Sequence, residues 1–157
     1  MSTFLLIAGV LLLSAGVVFA FRSATSGVAF SYLGIMALYD SRYVAIDSNL
    51  VLFWALGVLI VLFANFWRRM RRPATNVCRN YIVGGTLVGM LVGMLLGYAG
   101  MVGGAVAGAA LGAVAWSRTP SGHASAEPLL AVFVRIGFPA VVTMSIAGIA
   151  LDAVANA

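Results

Sequence analysis

The sequence predicts an all-α, polytopic membrane protein with five or six membrane segments and a central glycine-zipper helical hairpin. Composition is the first reason: of 157 residues, 63% are hydrophobic and 8% are charged, whereas about a quarter of the residues in soluble domains are charged. The second reason is the stretch from Tyr81 to Trp116, which has no charged residue and carries glycine at every fourth position, twice over. These observations exclude soluble and disordered chains and predict a single membrane domain, residues 1–157.

Apolar runs occupy residues 4–21, 26–39, 49–67, 81–116 and 129–151. A helix needs roughly 20 apolar residues to cross a hydrocarbon core about 30 Å thick, and the first, third and fifth runs are long enough. The first run also resembles a signal peptide, because Val18-Phe19-Ala20 is loosely similar to a cleavage site. Signal peptides begin with positive charge, which the first three residues lack, so we predict a retained helix.

The second run, residues 26–39, is short for a full span and either crosses the membrane or forms a re-entrant segment. If it spans, Arg22 is cytoplasmic, Asp40 and Asp47 face outward, and the N-terminus is outside. If it is re-entrant, Arg22 lies outside and the N-terminus inside. The first arrangement follows the positive-inside rule better, but a single arginine separates the two.

The fourth run is too long for one perpendicular span, because about 36 residues at 1.5 Å per residue extend about 54 Å. We expect a hairpin of segments 81–98 and 101–116 that turns near Tyr98-Ala99-Gly100; one long tilted helix is the alternative. Residues four apart share a helix face, and small residues on such a face allow helices to approach closely in lipid. The predicted packing residues are Gly85, Gly89, Gly93, Gly97, Gly100, Gly104, Gly108 and Gly112.

The net charge of +5 comes from nine arginines, with no lysine. Five of the arginines follow the third run: Arg68, Arg69, Arg71, Arg72 and Arg79. Such juxtamembrane clusters fix a loop in the cytoplasm and can bind anionic lipid headgroups. We therefore interpret the basic charge as a topology signal and expect no nucleic-acid partner.

The glycine region resembles a family of small bacterial membrane proteins catalogued as a domain of unknown function. The family pattern reads roughly G-x3-G-x3-G-P-x-G-x3-G-P-x2-G-x3-G-E, and the glycines from Gly89 to Gly112 match it in register. Tyr98 and Ala105 replace the family's prolines and Ala113 replaces its glutamate, and an earlier proline-glycine motif is missing. The resemblance covers residues 70–116; it implies a membrane fold and compartment and transfers no activity.

Arg135 is the candidate polar residue inside a membrane segment, about six residues into the final run. Intramembrane charges often line substrate paths, although a long arginine side chain can also snorkel to the interface, which is the interpretation we favour. Asp40, Arg42 and Asp47 form a charged loop that is either the mouth of a transport path or a solvated connection with a weak ion pair.

The other residues that could take part in catalysis or metal binding do not form a recognisable site. His123 and Glu127 lie in a small-residue loop without further metal ligands, and Cys78 beside the arginines is interpreted as unreactive. Pro139 should kink the last helix. Met90, Met94 and Met101 are expected to pack against lipid or adjacent helices. We expect no metal, no cofactor and no catalytic residues.

The sequence thus specifies tight packing far more heavily than polar chemistry. It predicts a non-enzymatic, multi-pass protein of the bacterial inner membrane with a structural or assembly role. Membrane lipids and a homo-oligomer or larger membrane complex are the expected partners. A small channel or permease with Arg135 near the path is the alternative.

Overall fold

The structure, a computed structural model, describes residues 2–42, 44–68, 76–124 and 128–156. No strand occurs within these ranges, and the all-α prediction is confirmed. In chain order the helices are α1 (Ser2–Arg22), α2 (Ala24–Ser41), α3 (Ser48–Arg68), α4 (Asn76–Gly93), α5 (Gly97–Ser117), α6 (Pro120–His123), α7 (Leu129–Val132) and α8 (Phe138–Ala155). A 3₁₀ turn (Met94–Leu96) joins α4 to α5, and a π-helical turn (Phe133–Gly137) joins α7 to α8.

Four stretches of the described chain are long and apolar enough to cross a membrane: Thr3–Arg22, Ser48–Asn65, Val77–Ser117 and Leu129–Ala155. Thirty large apolar side chains on these and neighbouring helices are exposed, a surface that water would penalise and that lipid accommodates. By the length and composition of its helices, the described chain is a multi-pass membrane protein, as the sequence predicts.

Two helical hairpins make up most of the fold. The α1–α2 hairpin reverses at Ser23, which has an extended backbone (φ −153°, ψ 115°) between the two helices. Phe19 and Phe30 stack across it with ring centroids 5.0 Å apart. The α4–α5 hairpin reverses through the 3₁₀ turn. The short run predicted at 26–39 is thus an 18-residue helix, 24–41, that lies against α1.

The reversal between α4 and α5 lies at residues 94–97, earlier than the turn predicted at 98–100. Gly97 has φ +77° and ψ −163°, a conformation that is essentially confined to glycine. A chain that must reverse therefore does so at Gly97, and Tyr98 already belongs to α5. The helices accordingly run 76–93 and 97–117 in place of the predicted 81–98 and 101–116.

Helix α8 lies at the centre of the bundle. Each of its residues from Pro139 to Ala150 is buried, and 61% of its span is buried compared with 17% for α3. It contacts both hairpins and α3. A helix that is apolar on all faces requires such a surrounding, so α8 is the core around which the other helices pack.

Pro139 introduces a π-helical turn at 133–137. Proline has no N–H to donate and its ring clashes with the carbonyl four residues earlier, which here belongs to Arg135. The backbone widens by one residue, and the N–H of Phe138 donates to the carbonyl of Phe133. The helix distortion expected at Pro139 therefore takes the form of a π-bulge that contains Arg135.

Candidate functional site

The α4–α5 contact surface, which we call the inner seam, is built from glycine backbone. Ideal Cβ atoms placed on Gly85, Gly89, Gly104 and Gly108 would all lie well under 3.0 Å from a carbonyl oxygen of the opposite helix. Gly93, Gly100 and Gly112 have the same restriction. Such separations are not tolerated by real Cβ atoms, so seven of the eight predicted glycines lie where α4 and α5 touch backbone to backbone.

Gly97 differs from the other seven. Nothing lies within 4 Å of its Cβ direction, because it occupies the reversal and not the seam. Its four-residue spacing from Gly93 suggested a packing role, but its positive φ gives it a turn role.

Along one open face of the same hairpin, the seam glycines line a groove between α4 and α5. It runs along both α4 and α5 and reaches Leu96 in the 3₁₀ turn, is flanked by exposed Val88, Val92 and Leu111, and has a volume of about 790 Å³. Two of its glycines, Gly84 and Gly103, have nothing within 4 Å of their Cβ positions. We call this surface the outer groove.

A second glycine seam joins α1 to α2, and the sequence reasoning missed it. A Cβ on Gly27 would lie 2.8 Å from the Gly16 oxygen and from the Ala20 Cα. A Cβ on Gly34 would lie 3.0 Å from the Gly9 oxygen. The signal was present as two pairs of glycines, each seven residues apart. Seven residues are two helical turns and return to the same face.

The charged residues separate to two ends of the bundle. Arg22, Arg79 and Arg118 belong to one end, which we call the basic end, because α1 finishes where α4 starts and α5 finishes. The Arg79 Nε donates to the Phe21 carbonyl at 2.7 Å and thereby ties the two hairpins together. Of the other predicted topology arginines, Arg68 ends α3, and Arg69, Arg71 and Arg72 lie outside the described residues.

The opposite end, the acidic end, holds Asp40, Asp47 and Asp152. Asp40 is exposed at the close of α2, and Asp47 caps α3 by accepting the Asn49 N–H on Oδ1 at 3.1 Å. The Tyr98 hydroxyl donates to the Asp152 carboxylate, which joins the start of α5 to the end of α8. Arg42, which follows α2 and has φ +58°, is a basic residue at the same end.

Arg135 is half-buried within the π-helical turn, and that turn contacts α4 and α5. The structure therefore places it close to the inner-seam hairpin and away from the acidic end. It does not bring Arg135 together with Asp40 or Asp47, the other two predicted transport residues.

The remaining candidate residues are not grouped into a site in the part of the chain that the structure describes. Cys78 is buried, and His123 is exposed with Nδ1 3.2 Å from the Thr119 carbonyl oxygen; Glu127 lies outside the described residues. Met90 and Met101 pack on Gly148 of α8. Within the described ranges no three His, Cys, Asp or Glu side chains come together to hold a metal.

Comparison with known proteins finds no matching family model, no matching curated protein and no matching solved structure. The resemblance of residues 89–112 to the glycine-zipper family stays a prediction based on that motif. The features of the described chain that bear on function are the two seams, the outer groove and the charged ends.

Proposed function

We propose that this chain is a non-enzymatic integral membrane protein with a structural or assembly role, built on a glycine-zipper hairpin. The observation that carries the proposal is the inner seam, where seven glycines leave no room for a single Cβ. In lipid the hydrophobic effect gives little reason for helices to associate, and close backbone packing replaces it. A chain with this many positions fixed by close helix packing forms a rigid bundle, and a rigid bundle offers a stable surface to a partner in the membrane.

Six membrane segments belong to this proposal: α1, α2, α3, α4, α5 and α7–α8 together. With six segments, Arg22, Arg79 and Arg118 all lie on the cytoplasmic side of a bacterial inner membrane, and Asp40, Asp47 and Asp152 lie outside. An 18-residue α2 extends about 27 Å, close to the hydrocarbon thickness of about 30 Å.

The topology predicts an N-terminus outside the cytoplasm. A protease-cleavable tag placed before Ser2 should be cut in intact spheroplasts, whereas a tag inserted after Ser121 should be cut only after lysis. The matched insertion shows that the membrane is sealed. Protection of the N-terminal tag until lysis would mean that α2 does not cross, and would leave five segments.

The outer groove is the assembly surface in this proposal, and a second copy of the chain is its occupant. The surface combines a small-residue groove with the exposed ridges Val88, Val92 and Leu111 on one face, so two copies related by a two-fold axis can each supply ridges to the other's groove.

Differently tagged copies of the wild type should therefore co-purify from mixed membranes, and Gly84→Leu should abolish co-purification while the protein still folds. Leucine has space at Gly84, where nothing lies within 4 Å, and it fills the groove. Leu52→Ala, an exposed position on α3 outside the groove, is the matched control and should co-purify normally. Unchanged co-purification of Gly84→Leu would contradict this surface.

A channel or permease is the second candidate, favoured by the π-bulge around Arg135. Interrupted helices that carry polar groups are typical of transport sites, and π-bulges often occur at functional positions. In this case liposomes that contain the protein should show anion flux, and Arg135→Ala should reduce it at least tenfold while Arg118→Ala does not. Absence of flux in the wild type would remove this candidate and leave the assembly role.

A further inference from the structure

A cavity of about 430 Å³ opens at the acidic end of the bundle, between the start of α3, the start of α5 and the end of α8. It exists because α3 packs on α2 and α8 and leaves a gap towards α5. The volume is within the range of small-molecule sites, about 300–1,000 Å³.

The walls of the cavity are apolar and aromatic. Leu50 and Ile149 supply aliphatic surface, and Phe53 and Tyr98 supply two exposed rings from different helices. The Phe53 ring is held edge-on to Trp54, with centroids 5.4 Å apart. Aromatic faces attract cations through the ring quadrupole, so the walls suit an apolar body that carries positive charge.

The charge at the cavity is negative. Asp47 lines it, and Tyr98, also a lining residue, donates its hydroxyl to the Asp152 carboxylate. None of the nine lining residues is basic, although the chain as a whole has a net charge of +5. Carboxylates beside a low-dielectric apolar wall raise the local concentration of cations and disfavour anions.

We propose that this cavity binds an amphipathic organic cation, an amine or quaternary ammonium with an apolar body. Asp47 and Asp152 supply the countercharge, and Phe53 and Tyr98 flank the bound molecule. A hard metal ion would require six or more oxygen ligands, which the mostly apolar lining does not provide. The proposal goes beyond the assembly role and does not depend on it.

Tetraphenylphosphonium tests the proposal, because tetraphenylborate has the same shape and the opposite charge. The protein is placed in nanodiscs of zwitterionic lipid, and binding of each ion is measured by equilibrium dialysis against empty nanodiscs, which corrects for partition into lipid. We expect saturable binding of the cation at about one per chain and no saturable binding of the anion.

Asp47→Asn should weaken binding of the cation about five- to tenfold, as expected for the loss of one nearby charge in a partly screened site. Asparagine preserves the helix cap of α3, since it caps as well as aspartate. Tyr98→Phe, which keeps the ring and loses the hydroxyl that positions Asp152, should weaken binding by a smaller factor.

Asp40→Asn is the matched control, because it removes the same charge from the same end of the bundle but does not line the cavity. Its binding should stay within twofold of the wild type. Absence of saturable cation binding in the wild type, equal binding of tetraphenylborate, or an equal loss in Asp40→Asn would each overturn the proposal.

Discussion

Gly104→Leu is expected to abolish recovery of the folded protein, whereas Gly103→Leu, one residue earlier, is not. A Cβ on Gly104 would collide with the Gly89 carbonyl oxygen and approach the Gly93 Cα at 3.1 Å. All of these neighbours are backbone and cannot rotate away, so α4 and α5 must separate. Overpacking by small groups already costs about 1–3 kcal/mol; a leucine opens the whole seam, against a total stability of about 5–15 kcal/mol.

Gly103→Leu is the control for Gly104→Leu, because nothing lies within 4 Å of the position that a Cβ on Gly103 would take. The two substitutions share their intrinsic helix propensity and their depth in α5, and they differ in the face on which the side chain appears. The measurement is the yield of monodisperse protein after extraction in mild detergent, with its helical content and thermal midpoint. Equal yields and midpoints for the two variants would show that the inner seam does not hold α4 against α5.

Gly27→Ala is expected to destabilise the protein by about 1–2 kcal/mol, although alanine is the better helix former. The added Cβ would lie 2.8 Å from the Gly16 oxygen and 2.9 Å from the Ala20 Cβ. The collision costs about 1–3 kcal/mol, which exceeds the gain in helix propensity of up to about 1 kcal/mol. The net effect tests the second seam, which joins α1 to α2.

Gly57→Ala is the matched substitution and should stabilise the protein by up to about 1 kcal/mol. Its Cβ would make ordinary contacts of 3.7 Å with Trp54 and 3.8 Å with Val142, so only the propensity gain remains. Reversible unfolding of both variants in the same detergent gives the comparison. Stabilisation by both alanines would mean that α1 and α2 are not in backbone contact.

The sequence signal that predicts close packing of α4 on α5 is dense and local. Eight glycines repeat every four residues, and no charge interrupts them. The α1–α2 seam carries only two glycines per helix, seven residues apart, and this spacing does not by itself identify the partner helix. The reversal was misplaced by a few residues because the shortened glycine spacing marks the seam, whereas the backbone conformation of Gly97 marks the turn.

The central position of α8 and the acidic cavity were beyond prediction from the sequence. The stretches that contain α3 and α8 have the same mean hydropathy, 2.0, and only packing decides that 139–150 is enclosed on every face while α3 lies at the edge. The contact between Tyr98 and Asp152 joins residues from different helices, and no local pattern brings them together. Asp47 was recognised as a candidate, but its aromatic neighbours were not.

The most direct test of the assembly role is the mass of the purified wild-type protein in native nanodiscs. The protomer is 16.3 kDa, and we expect a particle that contains two copies, held together through the outer groove. A monomer at all protein concentrations, with no second chain present, would contradict the assembly role. The glycines would then serve only to pack helices within one chain.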